Sequence, residues 1–426
     1  MVELAREELH TSVTDPVSAS MNFLNEVASR FPDAISLAAG RPYDEFYDVD
    51  DVGKYLDAYV GHLRAQGVSE ARVRQSLLQY GRTNGQLGAM IARTLEVDED
   101  IRVPPDAVMV TCGCQEAMII AVRGLCSRPG DVVLAAEPCY LGFTGAARVL
   151  GVEVVAVPET DGGLRPETVA RVAADVRAGG RRPRALYVVS NFANPSGVSL
   201  PTATRRALLD VAADQDLLIL EDDPYGLFGL DDDRPPAIKA LDAGQRVIYL
   251  GSFAKSVFPG ARVGFLVADQ PVVDEAGTRT LLADELSTVK SMVTVNTSPI
   301  AQAVIGGVLV SSGYSLRAAN REKIAFYRRN LRALLASLDR HFAGTAVTWN
   351  SPAGGFFAVA EVPVRADEKL LEASARDYGV LWTPMSFFYL DGGGSHAIRL
   401  ACSALATDQI DEGVRRLAAL IAGARS

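Results

Sequence analysis

The sequence predicts an α/β fold, in which a large domain with a mainly parallel seven-stranded sheet is followed by a smaller α+β domain. From about residue 107 to residue 267, short β-branched runs alternate with helical patterns, which is typical of strands joined by crossover helices. Beyond Asn296 the chain becomes rich in helical patterns, which indicates a second structural unit. Of the 426 residues, 48% are apolar, so the chain can bury an extensive core.

Seven apolar runs predict the strands of the large sheet: Val108 to Thr111, Asp131 to Ala136, Val152 to Val157, Ala185 to Ser190, Leu217 to Glu221, Val247 to Ser252 and Val263 to Ala268. Between them, segments such as Arg165 to Arg177 and Thr202 to Asp214 carry apolar residues at helical spacing, with a proline near the start. We interpret these segments as the helices that connect one parallel strand to the next.

The C-terminal part predicts a smaller domain that begins with a long helix. In Ser315 to Leu338, apolar side chains recur at near-helical intervals. After it come the strand-like runs Phe356 to Val362 and His396 to Cys402 and the helical runs Asp367 to Tyr378 and Asp408 to Ile421. We therefore expect an N-terminal segment over 1–55 that joins the small domain, a large domain over 56–315 and a small domain over 316–426.

Charge and cysteine content limit the classes of partner. With 42 basic and 52 acidic residues, the formal charge is −10, so the sequence lacks the basic excess with which proteins bind nucleic acid or anionic lipid. The longest apolar stretch, around Pro299 to Val310, is too short and too interrupted to span a membrane. Because Glu3, Glu7 and Glu8 stand where a secretory signal is basic and then apolar, we expect a cytoplasmic protein. Five cysteines and four histidines form neither a disulfide framework nor a metal motif.

A lysine after a predicted strand is the first candidate for chemistry. It lies in the run Gly251-Ser252-Phe-Ala-Lys255-Ser-Val-Phe-Pro-Gly-Ala-Arg262, and it is one of only six lysines in the chain. Taken alone, such a lysine is usually a solvated surface group. Here Ser252, Lys255 and Arg262 share a loop bounded by glycine and proline, where neighbouring cations can keep an amine near neutrality. Lys255 is therefore the candidate anchor for a cofactor held as an imine.

Pyridoxal phosphate bound as an imine also needs a cradle for its phosphate. In Thr111-Cys112-Gly113-Cys114-Gln115, a strand ends at a glycine and a helix begins. A helix start presents free main-chain N–H groups and the positive end of the helix dipole, both of which favour an anion. Turns of this kind occur in many α/β proteins, so the motif alone is not specific.

The cofactor ring needs a carboxylate for its nitrogen, and three acids end one strand. They lie in Leu217-Leu-Ile-Leu-Glu221-Asp222-Asp223-Pro-Tyr225. Acids at the carboxyl end of a strand can face a ligand crevice. We select Asp222, because a buried carboxylate would keep the ring nitrogen protonated and the ring electron-withdrawing. The alternative is that all three acids are solvated turn or helix-capping residues.

The ring also needs hydrogen-bond donors for its oxygen and a flat partner for its face. Asn194, in Ser190-Asn-Phe-Ala-Asn194-Pro-Ser-Gly, and Tyr225 are the candidate donors. Tyr140, in Glu137-Pro-Cys-Tyr140, is the candidate stacking partner. Taken alone, Asn-Pro-Ser-Gly is an ordinary turn, and Tyr140 is as readily a core or surface aromatic residue.

The motifs follow one another as glycine turn, aromatic residue, Asn-Pro, Asp-x-x-Tyr and Ser-x-x-Lys. In this order the chain resembles the class I/II pyridoxal-phosphate-dependent aminotransferases of fold type I, from about Ile35 to Ile421. In detail it is similar to the branch containing the 2-aminoadipate, kynurenine and related aromatic or branched-chain transaminases.

The resemblance implies a role for each candidate residue. Lys255 would form the internal aldimine, and Asp222 would pair with the ring nitrogen. The remaining cofactor contacts would come from Ser252, Arg262, Gly113, Cys114 and Gln115 at the phosphate, Asn194 and Tyr225 at the ring oxygen, and Tyr140 on the ring face.

Three further residues receive roles from the resemblance alone. Tyr80 matches a tyrosine that crosses a dimer interface to the partner's phosphate, which implies a homodimer. Arg399 matches the arginine that binds the substrate α-carboxylate through two hydrogen bonds, and without the resemblance it would be an exposed strand residue. Gly40 matches a main-chain position that lines the substrate pocket, where Asn194 would also contribute.

The sequence departs from the family pattern at several positions. Cys114 stands where serine or threonine is usual, so a hydroxyl to the phosphate is missing although the main-chain donors remain. Met385, His396 and Arg41 also differ from the residues common in relatives, which leaves the substrate preference open.

The implied reaction is a ping-pong transamination between an amino acid and a 2-oxo acid. Aromatic residues could shape a pocket for an aromatic or branched side chain, namely Tyr43, Phe46, Tyr47, Phe387, Phe388 and Tyr389, although simple packing explains them equally well. Within this class we expect a hydroxyphenylglycine-type transaminase of specialised metabolism. One alternative is elimination, cyclisation or oxidation on the same cofactor. A remote alternative is a ligand-sensing transcription regulator, for which the segment of about 35 residues ahead of the matching region, acidic on balance, leaves no room for a DNA-binding domain.

Overall fold

The large sheet of the computed structural model, which describes residues 3–14, 23–24 and 26–424, has seven strands in the order β2-β8-β7-β6-β5-β3-β4. Strand β8 is antiparallel to both of its neighbours, and all the other neighbouring pairs are parallel. The strands are β1 (Ile35–Ser36), β2 (Val108–Thr111), β3 (Asp131–Glu137), β4 (Glu153–Pro158), β5 (Arg182–Val189), β6 (Leu218–Asp222), β7 (Val247–Ser252), β8 (Gly264–Val267), β9 (Pro271–Val273), β10 (Arg279–Leu281), β11 (Thr348–Trp349), β12 (Phe357–Glu361), β13 (Val380–Leu381), β14 (Thr383–Pro384) and β15 (Ala397–Ala401). The prediction of a mainly parallel seven-stranded sheet is confirmed.

Helices cover both faces of this sheet and build much of the small domain. They are α1 (Thr11–Thr14), α2 (Asp50–Ala65), α3 (Glu70–Leu78), α4 (Gly88–Glu99), α5 (Cys114–Leu125), α6 (Leu141–Val149), α7 (Pro166–Ala178), α8 (Thr202–Asp214), α9 (Ile238–Leu241), α10 (Leu282–Val293), α11 (Pro299–Ser311), α12 (Leu316–Ala319), α13 (Arg321–Phe342), α14 (Glu368–Ala373) and α15 (Thr407–Gly423). The predicted crossover segments correspond to α7 and α8.

The strands are apolar on both faces because helices cover both. In β3, Val133 and Ala135 pack toward α5, α6 and α10, whereas Val132 and Leu134 pack toward α7 and α8. Successive side chains of a strand point to opposite faces, so a sheet covered on both sides requires a continuous apolar run. The result is a three-layer large domain.

The small domain is built on a second sheet, ordered β11-β12-β15-β14. The N-terminal part of the chain joins it, because β1 pairs in parallel with β13 and Val27 and Leu37 belong to its core. Helix α2 instead packs with α11 in the core of the large domain, where Tyr59 lies against Gly306. The chain therefore passes from the small domain to the large one before Asp50.

The long helix expected from Ser315 to Leu338 is interrupted. Helix α12 ends at Ala319 and α13 begins at Arg321, with Asn320 between them at φ −108°. The Asn320 side-chain amide donates a hydrogen bond of 2.7 Å to the carbonyl of Leu316. Asparagine side chains compete for main-chain partners in this way, which explains why the helix breaks at Asn320. The apolar spacing continues across the break, so the sequence predicts a single helix.

Among the described residues, no helix has both the length and the apolar character that crossing a bilayer requires. The same part of the chain contains no cluster of histidine, cysteine, aspartate or glutamate suited to hold a metal ion. All five cysteines are free thiols.

Candidate active site

The predicted site residues meet at the carboxyl edge of the large sheet. Strands β2, β3, β5, β6 and β7 point the same way, so the loops that follow them share one edge, where α/β proteins bind ligands. A cavity of about 530 Å³ opens there between the two domains. Among its lining residues are Gly40, Cys114, Gln115, Tyr140, Asn194, Asp222, Tyr225, Ser252, Lys255, Arg262 and Arg399.

Lys255 reaches into this cavity from the loop after β7. Its Nζ donates a hydrogen bond of 2.8 Å to the carbonyl of Gly40 and lies 5.9 Å from the centre of the Tyr225 ring. Burial, together with the nearby Arg399 and Arg262 guanidinium groups, lowers the pKa of Lys255 to about 8, and the Asp222 carboxylate offsets only part of this lowering. A buried amine with this pKa is partly neutral near pH 7, as a nucleophile or base must be.

The three acids at the end of β6 point to three different places. Glu221 is buried and accepts main-chain N–H groups of Ile238 and Lys239 at the start of α9, at 2.7 and 2.8 Å. Asp223 accepts a hydrogen bond of 3.1 Å from Asn191 and forms an ion pair with Arg234. Only the middle acid therefore faces the cavity.

Asp222 is 3% exposed, and burial raises its pKa to about 7. Its Oδ2 accepts a hydrogen bond of 2.8 Å from the Tyr187 hydroxyl, and the Cys114 thiol lies 3.6 Å from Oδ1. Both donors favour the ionised carboxylate and so lower this pKa. A cation placed in the cavity beside Asp222 would lower this pKa further and keep the carboxylate ionised.

The start of α5 forms a tight cradle. Gly113 precedes the helix at φ +75°, and a Cβ there would lie 2.4 Å from the Arg262 guanidinium. Gly264 of β8 approaches so closely that a Cβ on it would lie 2.6 Å from the main-chain nitrogen of Cys114. Two glycines thus let Arg262 and the helix start come together, which suits a phosphate group.

Ser252 and Gln115 have local hydrogen bonds beside this cradle. The Ser252 hydroxyl accepts a hydrogen bond of 3.2 Å from the main-chain N–H of Ala254. The Gln115 side-chain amide donates one of 2.6 Å to the carbonyl of Gly142. Both side chains line the cavity.

Arg399 lies on β15 on the opposite side of the cavity. Its guanidinium donates to Asn194 Oδ1 at 2.6 Å and to the Ala38 carbonyl at 2.7 Å, and its Nε has no partner. It lies over the rings of Phe357 and Phe388, at 4.4 and 5.0 Å. No carboxylate of the described residues pairs with this buried cation, whose pKa is lowered by burial to about 10. The site can therefore bind an external carboxylate.

Tyr225 is buried and Tyr140 is partly buried beside this group of charges. Burial raises the pKa of Tyr140 to about 12 and raises that of Tyr225 as well, so both hydroxyls remain protonated donors at neutral pH. Tyr225 also hydrogen bonds with Asn194, and its ring packs on Phe356 and Phe357.

Tyr80 does not reach the cavity. It is 83% exposed and lines a separate surface depression with residues that include Asn84, Gln86 and Gln302. Nothing in a single chain brings it near Lys255.

The aromatic residues expected near the pocket have mixed positions. Phe388 lines the cavity. Tyr43 and Phe46 instead pack with Phe326, at ring-centre distances of 4.6 and 5.1 Å, and Tyr47 packs with Phe258. For the N-terminal aromatic residues, simple packing was thus the better interpretation.

Sequence reasoning missed the wall that the small domain contributes and the partner of Asp222. The wall is apolar and includes Leu24, Val27, Leu371, Leu381 and Trp382. Trp382 uses its indole N–H in a hydrogen bond of 3.1 Å to Ser374, so it presents only its ring.

The sequence held one signal for Tyr187, the partner of Asp222: it is the single aromatic residue of β5 and lies two residues before that strand ends.

Comparisons with known proteins agree with this geometry. The model of the family "Aminotransferase class I and II" matches residues 47–417. The chain is 48% identical to the (S)-3,5-dihydroxyphenylglycine transaminase of Amycolatopsis orientalis, over 98% of this chain and 95% of that protein. It is 30% identical to aromatic-amino-acid aminotransferase 1 of Thermococcus litoralis, over 91% of this chain and 88% of that protein.

A solved structure extends the similarity to three dimensions. It is an alpha-aminoadipate aminotransferase from Thermus thermophilus in complex with N-(5'-phosphopyridoxyl)-L-leucine. The two chains are 29% identical and superpose with a TM-score of 0.77, over 96% of this chain and 97% of the other.

Proposed function

Because this chain belongs to the class I and II aminotransferases, which use pyridoxal phosphate, we propose that it transfers amino groups between neutral amino acids and 2-oxo acids at the cavity around Lys255. We propose aromatic or branched side chains as its substrates. The single observation that carries the proposal is the charge of the cavity, whose lining has three cationic side chains and one carboxylate. The cations are Lys255, Arg262 and Arg399, and the carboxylate is Asp222.

The residues present fit the cofactor. Gly113 and Gly264 let the Arg262 guanidinium and the main-chain start of α5 come close together, so Gly113, Cys114 and Arg262 form a cradle that suits a phosphate. Ser252 and Gln115 would complete the phosphate site, and Tyr80 of a second copy would reach it. Asp222 would pair with the ring nitrogen, Asn194 and Tyr225 with the ring oxygen, and Tyr140 with the ring face.

When bound, pyridoxal phosphate supplies an aldehyde that exchanges amino groups and a ring that withdraws electrons from the substrate Cα. Lys255 Nζ is the base that removes the proton from Cα, and its lowered pKa leaves a usable neutral fraction near pH 7. Arg399 holds the substrate carboxylate, with Gly40 and Asn194 beside it. The buried walls exclude water, which strengthens each of these electrostatic contacts.

The apolar wall supports the choice of substrate class. Trp382, Leu381 and their neighbours offer no charge to a substrate side chain. Burying a second, unpaired carboxylate would cost several kcal/mol, roughly 100-fold or more in kcat/KM. A relative with nearly half of its residues identical is named for a substrate with an aromatic ring, which also supports this choice.

We also propose that the enzyme is a cytoplasmic homodimer, with one domain limit near residue 315 and the other just before Asp50 rather than at residue 55, because α2 packs in the core of the large domain. The exposure of Tyr80 supports the dimer, because a residue outside the cavity needs a second copy to reach a cofactor. Five free thiols support a reducing compartment.

Transfer of amino groups by the loaded enzyme tests the proposal. Purified protein with pyridoxal phosphate is mixed with L-phenylalanine, L-tyrosine, L-leucine or L-glutamate, and formation of pyridoxamine phosphate and the 2-oxo acid is followed. We expect conversion of the neutral substrates and about 100-fold less with glutamate. Release of an eliminated, cyclised or oxidised product without pyridoxamine phosphate would refute transamination.

A labelling experiment tests the anchor. Borohydride should fix a pyridoxyl group on Lys255, and the label should disappear in Lys255→Ala but persist in Lys54→Ala, which changes an exposed lysine. A label on another lysine of the native protein would refute the assignment.

A further inference from the structure

The carboxyl group of Asp222 lies where burial opposes its ionisation. It is almost fully buried, and the neighbouring acids Asp223 and Glu221 add to the effect of burial in raising its pKa. Only the Tyr187 hydroxyl and the Cys114 thiol donate hydrogen bonds to it among the described residues. A thiol is a weak donor, so Tyr187 provides the strong interaction.

Tyr187 is held rigidly for this contact. In the sheet, Val189 of β5 lies beside Asp222 of β6, and Tyr187 is two residues earlier on the same face. Its ring stacks on Phe143 at a centre distance of 3.8 Å and an angle of 5°. The hydroxyl then meets Oδ2 at 2.8 Å, with no other partner for that oxygen among the described residues.

We propose that Tyr187 is a positioning residue that fixes Oδ2 of Asp222 and so leaves Oδ1 directed toward the cofactor ring nitrogen. Cys114, which lines the cavity, contacts Oδ1 and marks that oxygen as the one on the cavity side. This inference rests on the proposed role of Asp222. Tyr187 itself does not line the cavity, so it acts only through the carboxylate.

Tyr187→Phe tests the proposal, because phenylalanine keeps the ring and its stacking on Phe143 while removing the hydroxyl. Tyr59→Phe is the matched control, since Tyr59 is also buried but lies between α2 and α11, away from the cavity. Losing one hydrogen bond to a charged group should lower kcat about 10- to 100-fold in Tyr187→Phe, with KM for the amino acid nearly unchanged.

The visible absorption of the bound cofactor gives a readout that a general loss of stability would not change. A cofactor ring whose nitrogen is less protonated withdraws electron density more weakly. The Lys255 nitrogen bonded to the cofactor therefore becomes more basic. The pH at which the absorption changes should rise by about one unit in Tyr187→Phe and stay at the native value in Tyr59→Phe. Equal titrations for the two variants would overturn the proposal.

Asp222→Asn separates this inference from the function on which it rests. If Asp222→Asn shifts the absorption titration upward and Tyr187→Phe does not, the carboxylate has its proposed role and Tyr187 does not position it. If Asp222→Asn leaves the titration unchanged, the role proposed for Asp222 is itself wrong, and the inference about Tyr187 fails with it.

Discussion

Replacement of Arg399 by lysine tests how the cavity binds a carboxylate. The guanidinium is fixed by Asn194 Oδ1 at 2.6 Å, the Ala38 carbonyl at 2.7 Å and the Thr383 hydroxyl at 3.1 Å. These contacts use donors on both terminal nitrogens and orient the planar group. Lysine keeps the positive charge but presents a single nitrogen, so it cannot hold both oxygens of a carboxylate in the same geometry.

The magnitude follows from the number of hydrogen bonds lost. A guanidinium binds a carboxylate through two charge-assisted hydrogen bonds, and lysine would retain one of them. Losing one such bond costs about 1.5 to 3 kcal/mol, which corresponds to an increase of about 10- to 150-fold in the dissociation constant. Arg399 contacts neither the Gly113 cradle nor Asp222 and touches the proposed cofactor site only through Asn194, so cofactor affinity should change far less than substrate affinity.

Single-turnover kinetics of each half-reaction provide the assay. Arg399→Lys should weaken binding of the amino acid and of the 2-oxo acid by the same factor, since both carry the carboxylate. Arg332→Lys, which changes an exposed arginine on α13, is the matched control and should leave both unchanged. If a primary amine without a carboxylate loses as much rate as the amino acid, the assignment of Arg399 is refuted.

Three further predictions concern the cofactor. Arg262→Met removes a nearby cation and should raise the pKa of Lys255 above about 8. The rate at which apo-protein combines with pyridoxal phosphate should then level off at a higher pH than in the native protein. An unchanged pH profile would contradict this. Gly113→Ala should weaken cofactor binding at least tenfold, because its Cβ would meet Arg262. The control Gly130→Ala has a similar φ and open space around it, so it should lower only the stability of the protein, by about 1 kcal/mol. Equal cofactor affinities in the two variants would refute the role of Gly113 in the phosphate cradle. Tyr80→Ala should reduce cofactor affinity in the dimer. A mixed dimer of one Tyr80→Ala chain and one Lys255→Ala chain should contain one intact site, formed by Lys255 of the first chain and Tyr80 of the second. Mixed dimers without activity would argue against a contribution of Tyr80 across the interface.

The large sheet was predictable from the sequence because most of its strands are buried on both faces. Such strands appear as continuous apolar runs, and each predicted run overlaps an observed strand. The interruption at Asn320 was not predictable from periodicity, since apolar residues recur at near-helical intervals on both sides of it. The break shows only in the backbone of Asn320 and in its side-chain hydrogen bond to Leu316.

The candidate site was predictable where residues directly follow strands. Lys255, Asp222 and Asn194 each come at or just after a strand end, and parallel strands bring their ends to one edge. Tyr187 lies inside a strand, and its partner belongs to a neighbouring strand. Its contact depends on the register between β5 and β6, which no local pattern in either strand specifies.

The three acids after Leu220 show which information the fold adds. Strand alternation places Leu220 and Asp222 on one face and Ile219 and Glu221 on the other, so the sequence already separates the first two acids. It does not say which face the cofactor would use. In the structure Leu220 packs toward α5, whose start is the glycine cradle, whereas Ile219 packs toward α7 and α8. Asp222 is therefore the acid on the side of the phosphate cradle, and Glu221, held by the start of α9, serves the opposite layer.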